Sequence, residues 1–498
     1  MYAETSPFTV VPRWRSAAHV RFSKQMLFAD DKAKPSANIR LCLWLIYYFT
    51  LCDTTLKFLP VGIALPLRYL PEGVLYGFTI VVFMKGRRVT SFPLFWPLCA
   101  CALLMSISGI LNSSPILAVI GDFRSFFRFA AFAYIGWRTG ITPKRIEQFI
   151  DGFLLLTVVE LIVGGLELVG GQGAQTFFSP ALGWSSGTPL AQAHEARDAG
   201  GWIFGTMSDY NQFGMFMTIS CVLALAMYFI KASGKYLWIA SAAALAVVLS
   251  FSRHSLPMLA LAVGIFFFFQ RKRMANASTL RRFIPVIVCL LTLAYFGQSL
   301  GSAFEGRVAS AFTQRSLAGD RLANVRLYLT MELTPRFLRA NPLFGQGPVE
   351  ESELPLTEGR NTALGPVLRA APDIPRDATF FFGDVVWVYV LGLYGCFGLA
   401  AFGWVFWSIG ATANKLRKRR SSPEGVVIAQ ACIVTVVAFV MSGFFSLEMI
   451  SRDCIPVFWV LAGMVFSLAT SPMRSMQVLG HRASLLRHQI PQHALPVE

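Results

Sequence analysis

Apolar runs of about twenty residues recur along almost the whole chain, each long enough to cross the hydrocarbon of a bilayer, which takes about 17–25 residues of helix. They lie near 40–62, 68–84, 92–111, 115–136, 147–170, 207–230, 236–252, 254–270, 282–300, 380–409, 426–447 and 453–470. In lipid, backbone N–H and C=O groups must be satisfied within the segment, so runs of this length form helices. The pattern predicts an all-α polytopic membrane protein with about 12 transmembrane helices. The second run is short and contains Pro71, so the hairpin within 40–84 is where that count is open.

Composition agrees: 14% of the 498 residues are charged, against about 25% in soluble domains. The net charge of +17 invites a nucleic-acid reading, but its distribution opposes one. Basic residues fall in short clusters between apolar runs, as in Lys85-Gly86-Arg87-Arg88, Arg271-Lys272-Arg273 and Arg417-Lys418-Arg419-Arg420. Such loops orient a membrane protein, and no nucleic-acid partner is expected. The nine cysteines lie in or beside apolar runs without CxxC spacing, so they read as small core residues rather than a metal or disulfide framework.

The same clusters orient the chain. The basic N-terminal tail and the loops at 85–90, 138–145, 231–235, 271–282 and 415–420 all fall on one side of a twelve-span chain, which is then cytoplasmic. The expected organisation is a cytoplasmic tail over 1–39, spans one to nine over 40–300, an outward loop over 301–378, spans ten to twelve over 379–470, and a cytoplasmic tail over 471–498. A smaller outward segment covers 171–204. The 301–378 loop holds nine basic and nine acidic residues and so lacks the cytoplasmic bias. From Asp320 to Leu338 its apolar residues recur at near-helical spacing, predicting an amphipathic helix on the outer face. The Gly/Pro turn Asn341-Pro342-Leu343-Phe344-Gly345-Gln346-Gly347-Pro348 follows it.

Several polar residues interrupt this pattern. Arg253 closes an apolar run on the outward side, either as a functional group or as a snorkelling anchor. Arginine suits phosphate because its planar fork donates two charge-assisted hydrogen bonds. Arg321, Arg326, Arg336 and Arg339 lie on or near the loop helix, where a solvated face is the plain reading. Asp384 opens the tenth span as a helix N-cap or as a general base. Asp209 and Asn211 enter the sixth span, where capping again explains them. Asp122, Arg124 and Arg128 could form an internal ion pair, and Glu160 and Glu167 could face a cavity. His194 and His254 stand without a metal-binding constellation.

In order along the chain these features acquire a meaning. A span ends in Leu249-Ser250-Phe251-Ser252-Arg253. A large loop then brings Gly319-Asp320-Arg321, a helix and the Asn341–Gly347 turn, and a later span carries Gly395-Cys396-Phe397-Gly398. Over roughly 205–405 this resembles the O-antigen ligase and polymerase family, bacterial envelope glycosyltransferases that use lipid-linked sugar donors. The resemblance implies a GT-C-like helical bundle in the inner membrane, with a large extracytoplasmic loop over the site. Arg253 would contact the pyrophosphate of a polyprenyl-linked glycan donor, and Arg321 would be a second clamp. Arg326 competes for that place, because Arg321 to Pro342 is about five residues longer than the family spacing. Asn211 matches the asparagine entering the sixth span, and Gly345 and Gly347 of the turn would line the substrate site. The ligase branch has a histidine where this chain has Asp384, which favours a polymerase with Asp384 as base. Implied partners are the lipid-linked donor and acceptor, membrane lipids, a chain-length regulator and a flippase. No metal or other cofactor is expected, since arginines can neutralise the leaving group. A transporter of similar hydropathy would instead show inverted repeats and broken helices near the midplane, neither of which is visible in the sequence.

Overall fold

A computed structural model describes residues 37–84, 91–139, 142–178, 203–207, 210–250, 252, 255–274, 339, 341–348, 385–419, 422–444 and 455–470. Eleven α-helices run through these residues: α1 Ala37–Leu56, α2 Val61–Met84, α3 Phe95–Leu111, α4 Ile116–Thr139, α5 Pro143–Phe178, α6 Tyr210–Lys231, α7 Gly234–Leu249, α8 Ser255–Met274, α9 Val386–Arg419, α10 Pro423–Ser442 and α11 Ile455–Thr470. No strand occurs among the described residues. Each helix overlaps one expected span; the ninth span, 282–300, and the loop helix at 320–338 lie outside the described residues. Five helical stretches, Gly62–Met84, Pro143–Gly171, Tyr210–Lys231, Val386–Arg419 and Pro423–Ser442, are long and apolar enough to cross a membrane. Five shorter apolar stretches lie in α1, α3, α7, α8 and α11. α4 is neither, because it carries Asp122, Arg124, Arg128 and Arg138.

The hairpin at 40–84 resolves into two helices, with the chain turning at 57–60, earlier than the expected span end at 62. Pro66 and Pro71 both lie inside α2. Pro71 has no N–H to donate to the carbonyl four residues back, that of Leu67. Tyr48 of α1 supplies the missing donor, its hydroxyl reaching Leu67 O at 2.9 Å. A neighbouring helix thus repairs the proline defect, as a membrane interior requires.

α4 and α11 form the most extensive helix pair. Their backbones touch where side chains are absent: a Cβ on Gly463 would lie 2.0 Å from Ala133 O, and one on Gly136 would lie 2.3 Å from Val460 O. Small residues at such crossings let helices approach, and dispersion then holds them. Gly463→Val is expected to force the pair apart and cost about 3 kcal/mol or more. An unchanged melting midpoint in detergent would show that the contact is not tight.

The bundle has two unlike ends. At one, Lys231 at the end of α6 pairs with Asp151 (2.6 Å) and Glu147 (3.9 Å) of α5. There too Arg417 stacks over Phe269, and Arg419 donates to Ala469 O at 2.7 Å. The basic clusters that these residues represent gather at that end. The other end collects the start of α4, α6 and α9, the end of α3, and the α7–α8 connection. Five described cysteines (Cys42, Cys52, Cys101, Cys221, Cys432) are buried, as small core residues should be, while Cys99 and Cys396 are exposed on helix surfaces.

Candidate functional site

The 341–348 turn and the Gly395 region of α9, far apart in sequence, are one structural unit. Gly395 has φ 65° and ψ −167°, which interrupts the helix. In an unbroken helix Cys396 N–H would donate to Gly392 O and Phe397 N–H to Leu393 O. Instead Cys396 N donates to Pro342 O (2.8 Å) and Phe397 N to Leu343 O (3.3 Å). The freed carbonyls are taken by the turn: Gln346 N reaches Gly392 O (2.8 Å) and Gly347 N reaches Leu393 O (2.9 Å). The helix therefore exchanges two internal bonds for four with the turn, and all four backbone groups that would have paired with one another find partners there.

Glycine is demanded on both sides of this contact. A Cβ on Gly345 would fall 2.4 Å from Leu393 C, and one on Gly395 2.4 Å from Leu343 C and O. Both residues also hold positive φ, at 69° and 65°, which disfavours any side chain. Gly347 (φ 82°) packs on the end of α3, where a Cβ would lie 2.3 Å from Ser114 Oγ. Ser108 of α3 donates to Phe344 O at 2.6 Å and Asn112 Nδ2 to Gly345 O at 3.2 Å, completing the seat. The observed partners of Gly345 and Gly347 are thus protein atoms. Their role in the structure is to seat the 341–348 turn onto α3 and α9. The break also corrects the expectation of unbroken spans: α9 is interrupted at Gly395, and α5 at Gly171 (φ 56°).

A second junction ties Asn211 to the Ser-Arg element. Ser252 Oγ donates to Asn211 Oδ1 at 2.9 Å and lies 2.7 Å from Ser255 Oγ. Ser255 Oγ reaches Asn211 O at 3.3 Å. Gly214, one turn into α6, makes room: a Cβ there would meet Ser255 Oγ at 2.5 Å. Asn211 is buried, and the residue it grips directly precedes Arg253. Capping alone does not describe it, since its carboxamide reaches a neighbouring connection.

The charged residues of α4 divide between two faces. Asp122 Oδ1 accepts from Tyr389 at 3.3 Å, and Oδ2 accepts from Tyr394. Asp122, Tyr389 and Tyr394 line a cavity of about 110 Å³ between α3, α4 and α9, whose wall also includes Ser125, Leu104, Met105, Phe126 and Phe402. Gly398 allows this arrangement, because a Cβ there would lie 2.1 Å from Tyr394 Cβ. The arginines pair elsewhere: Arg128 Nη2 lies 3.1 Å from Glu72 Oε1 of α2, and Arg124 Nε 3.5 Å from Glu72 Oε2. Among the described residues both arginines thus form ion pairs from α4 to α2. Glu72, Tyr389 and Tyr394 were not among the residues singled out in the sequence. Glu72 could have been, as a carboxylate inside an apolar run.

Glu160 and Glu167 face a chain segment rather than a cavity. The turn at 203–207 descends against α5, and its amides meet both carboxylates. Glu167 Oε2 accepts from Phe204 N and Gly205 N, each at 2.9 Å; Glu160 Oε2 accepts from Thr206 N at 2.9 Å and its Oε1 from Thr206 Oγ1 at 2.5 Å. Thr54 of α1 closes the group by donating to Thr206 O at 3.0 Å. Both glutamates are buried; donors from the turn reach both oxygens of Glu160 and Oε2 of Glu167, while Glu167 Oε1 has no hydrogen-bond partner among the described residues.

Arg253, Arg321, Arg326, Asp384, Asp209, His194 and His254 lie outside the described residues. Their described neighbours are Ser252 for Arg253 and Val385, at the head of α9, for Asp384. Among the described residues no group of three or more His, Cys, Asp or Glu side chains is placed to hold a metal ion. No protein-family model matches the chain, and no curated protein matches it.

Proposed function

We propose that this chain is an integral membrane glycosyltransferase that polymerises polyprenyl-pyrophosphate-linked oligosaccharide repeats into an exopolysaccharide or O antigen. It would work at the outer face of the bacterial inner membrane, with both termini cytoplasmic. The reading is supported chiefly by the docking of the Asn341–Gly347 turn into the Gly395 break. Two sequence elements that carry the family resemblance, the turn and the Gly395 segment, are halves of one joint; on this proposal it ties the outward loop to the helix that follows Asp384 in the chain. The Asn211–Ser252 bond supports it in the same way, fixing the element that ends in Arg253 to the start of α6.

In this proposal an acceptor sugar hydroxyl attacks the anomeric carbon of a second lipid-linked repeat. The new C–O bond forms as the bond from that carbon to the pyrophosphate oxygen breaks, and Asp384 takes the hydroxyl proton. Arg253 and Arg321, or Arg326 in its place, stabilise the charge that builds on the departing polyprenyl pyrophosphate. Asn211 positions Arg253, and Gly345 and Gly347 anchor the loop that covers the sugars. A flippase would deliver the repeats and a chain-length regulator would act beside the enzyme.

A ligase that moves glycan to lipid A core shares this scaffold and is the alternative. Transport gains little from the break at Gly395. A transporter uses unwound carbonyls to hold its ion, whereas Gly392 O and Leu393 O already accept from Gln346 and Gly347. The test is purified protein in detergent supplied with lipid-linked repeats alone. Ladders of two or more repeats, with release of polyprenyl pyrophosphate, are the expected product. Complete absence of joining, with activity appearing only when lipid A core is added, would replace the polymerase reading with the ligase one.

A further inference from the structure

The opposite face of α4 from Asp122 carries a feature that glycan transfer does not use. Contacts between Tyr69 and Arg124, Glu72 and Arg128, and Phe83 and Tyr134 show that α2 and α4 run side by side in the same direction. Side chains on a helix tilt toward its N-terminus. Both N-termini lie at the end of the bundle that holds the 341–348 turn, so the guanidiniums lean that way. Glu72 is shared by two arginines, which leaves one positive charge over. Arg128 is buried, but 45% of the Arg124 side chain is exposed.

What surrounds Arg124 is apolar. Leu117 and Ile120, seven and four residues earlier on the same face, are 70% and 54% exposed, and Tyr69 and Leu70 of α2 are exposed beside it. Such a surface faces lipid. Arg124 lies about 12 Å along the axis from the start of α4, within the hydrocarbon if that start is near the interface. Its closest approach to Glu72 is through Nε, and its guanidinium stacks 5.2 Å above the Tyr69 ring. Among the described residues, Nη1 and Nη2 make no hydrogen bond. A guanidinium fixed at one edge, with its two-pronged edge open to lipid, is costly there unless an anion meets it. Planar bidentate donors match a phosphate group.

We propose that Arg124, oriented by Glu72 and Tyr69, binds the phosphate of a membrane lipid in the groove between α2 and α4. The inference needs these helices to lie in a bilayer and stands whether or not the chain transfers glycans. The test is native mass spectrometry of the full-length protein in detergent, titrated separately with phosphatidic acid, farnesyl diphosphate and inorganic pyrophosphate. Loss of a bidentate charged contact predicts about a tenfold drop in lipid-phosphate affinity for Arg124→Ala. Arg124→Lys keeps the charge without the fork and should fall between; Tyr69→Leu should weaken binding while leaving the arginine in place. These two variants keep the test decisive if Arg124→Ala fails to fold. Stronger binding of farnesyl diphosphate than of phosphatidic acid would identify an isoprenoid diphosphate as the occupant, and the reverse a phospholipid. Inorganic pyrophosphate binding as well as either lipid would overturn the lipid source. Equal affinities in wild type and in the Arg124→Lys and Tyr69→Leu variants would overturn the site.

Discussion

Alanine at position 395 is expected to unseat the 341–348 turn from α9 while leaving the helix itself intact. The added Cβ would stand 2.4 Å from the carbonyl of Leu343, and a φ of 65° with ψ near −167° is a conformation that essentially glycine alone adopts. Strain of about 1–3 kcal/mol at the residue adds to the overlap. The four hydrogen bonds to the turn would go, each worth about 0.5–1.5 kcal/mol net. α9 has a ready alternative, because Cys396 N and Phe397 N can return to Gly392 O and Leu393 O. The cost therefore falls on the loop. Limited proteolysis should cut the 341–348 region at least about a hundredfold faster, following a loss of about 3 kcal/mol in docking, with helical circular dichroism unchanged. Gly403→Ala in the same helix, where a Cβ meets nothing within 4 Å, is the matched control and should behave as wild type. Equal cleavage rates in the two variants would mean that the turn is not held by this joint. On the proposed function, Gly395→Ala should also slow glycan chain growth, since the loop would no longer be seated over the site.

On the proposed function, the largest effect on activity is expected from Arg253→Ala. Removing one preorganised donor to a developing negative charge slows catalysis by about 10²–10³, enough to leave single repeats on the lipid carrier. Asp384→Asn keeps the shape but not the base and should cost about 10²–10⁴. Both proteins should still reach the membrane at normal levels, because the Pro71 repair, the α4–α11 crossing and the Gly395 joint are each made by other residues. Gel ladders of extracted glycolipid distinguish the outcomes: normal-length polymer from either variant would remove that residue from the mechanism. Asn211→Ala should act more weakly, through loss of its hold on Ser252. Arg253→Lys should recover part of its effect, since lysine keeps the charge without the two-pronged geometry.

Much of the architecture was legible because hydropathy is a local property. Tyr210–Lys231 and Pro423–Ser442 are apolar enough that any lipid-embedded solution makes them helices, and their bounds match the expected runs within a few residues. The proline-bearing second span looked doubtful because its repair comes from Tyr48 on another helix. The carboxylates were visible as anomalies but not their partners. Glu160 and Glu167 suggest a cavity, yet they receive the amides of a turn some 40 residues away along the chain. Asp122 and the α4 arginines suggested one another by proximity. Helical geometry sends them to opposite faces, toward Tyr389 and Tyr394 on one side and Glu72 on the other.

The glycines mark the boundary most clearly. From the sequence alone, Asn341–Gly347 is a turn and Gly395-Cys396-Phe397-Gly398 is part of a span, because glycine signals backbone freedom without saying what will use it. Only the tertiary structure shows that each needs the other: hydrogen bonds lost inside α9 are replaced across a sequence gap of about fifty residues. By itself the sequence determined the all-helical, apolar class of the molecule and where its described helices lie. These depend on the energy of each segment in lipid, which the segment's own composition sets. The tertiary structure decided which polar group meets which, because a buried charge or a broken helix is settled by whatever donor or acceptor the fold brings to it.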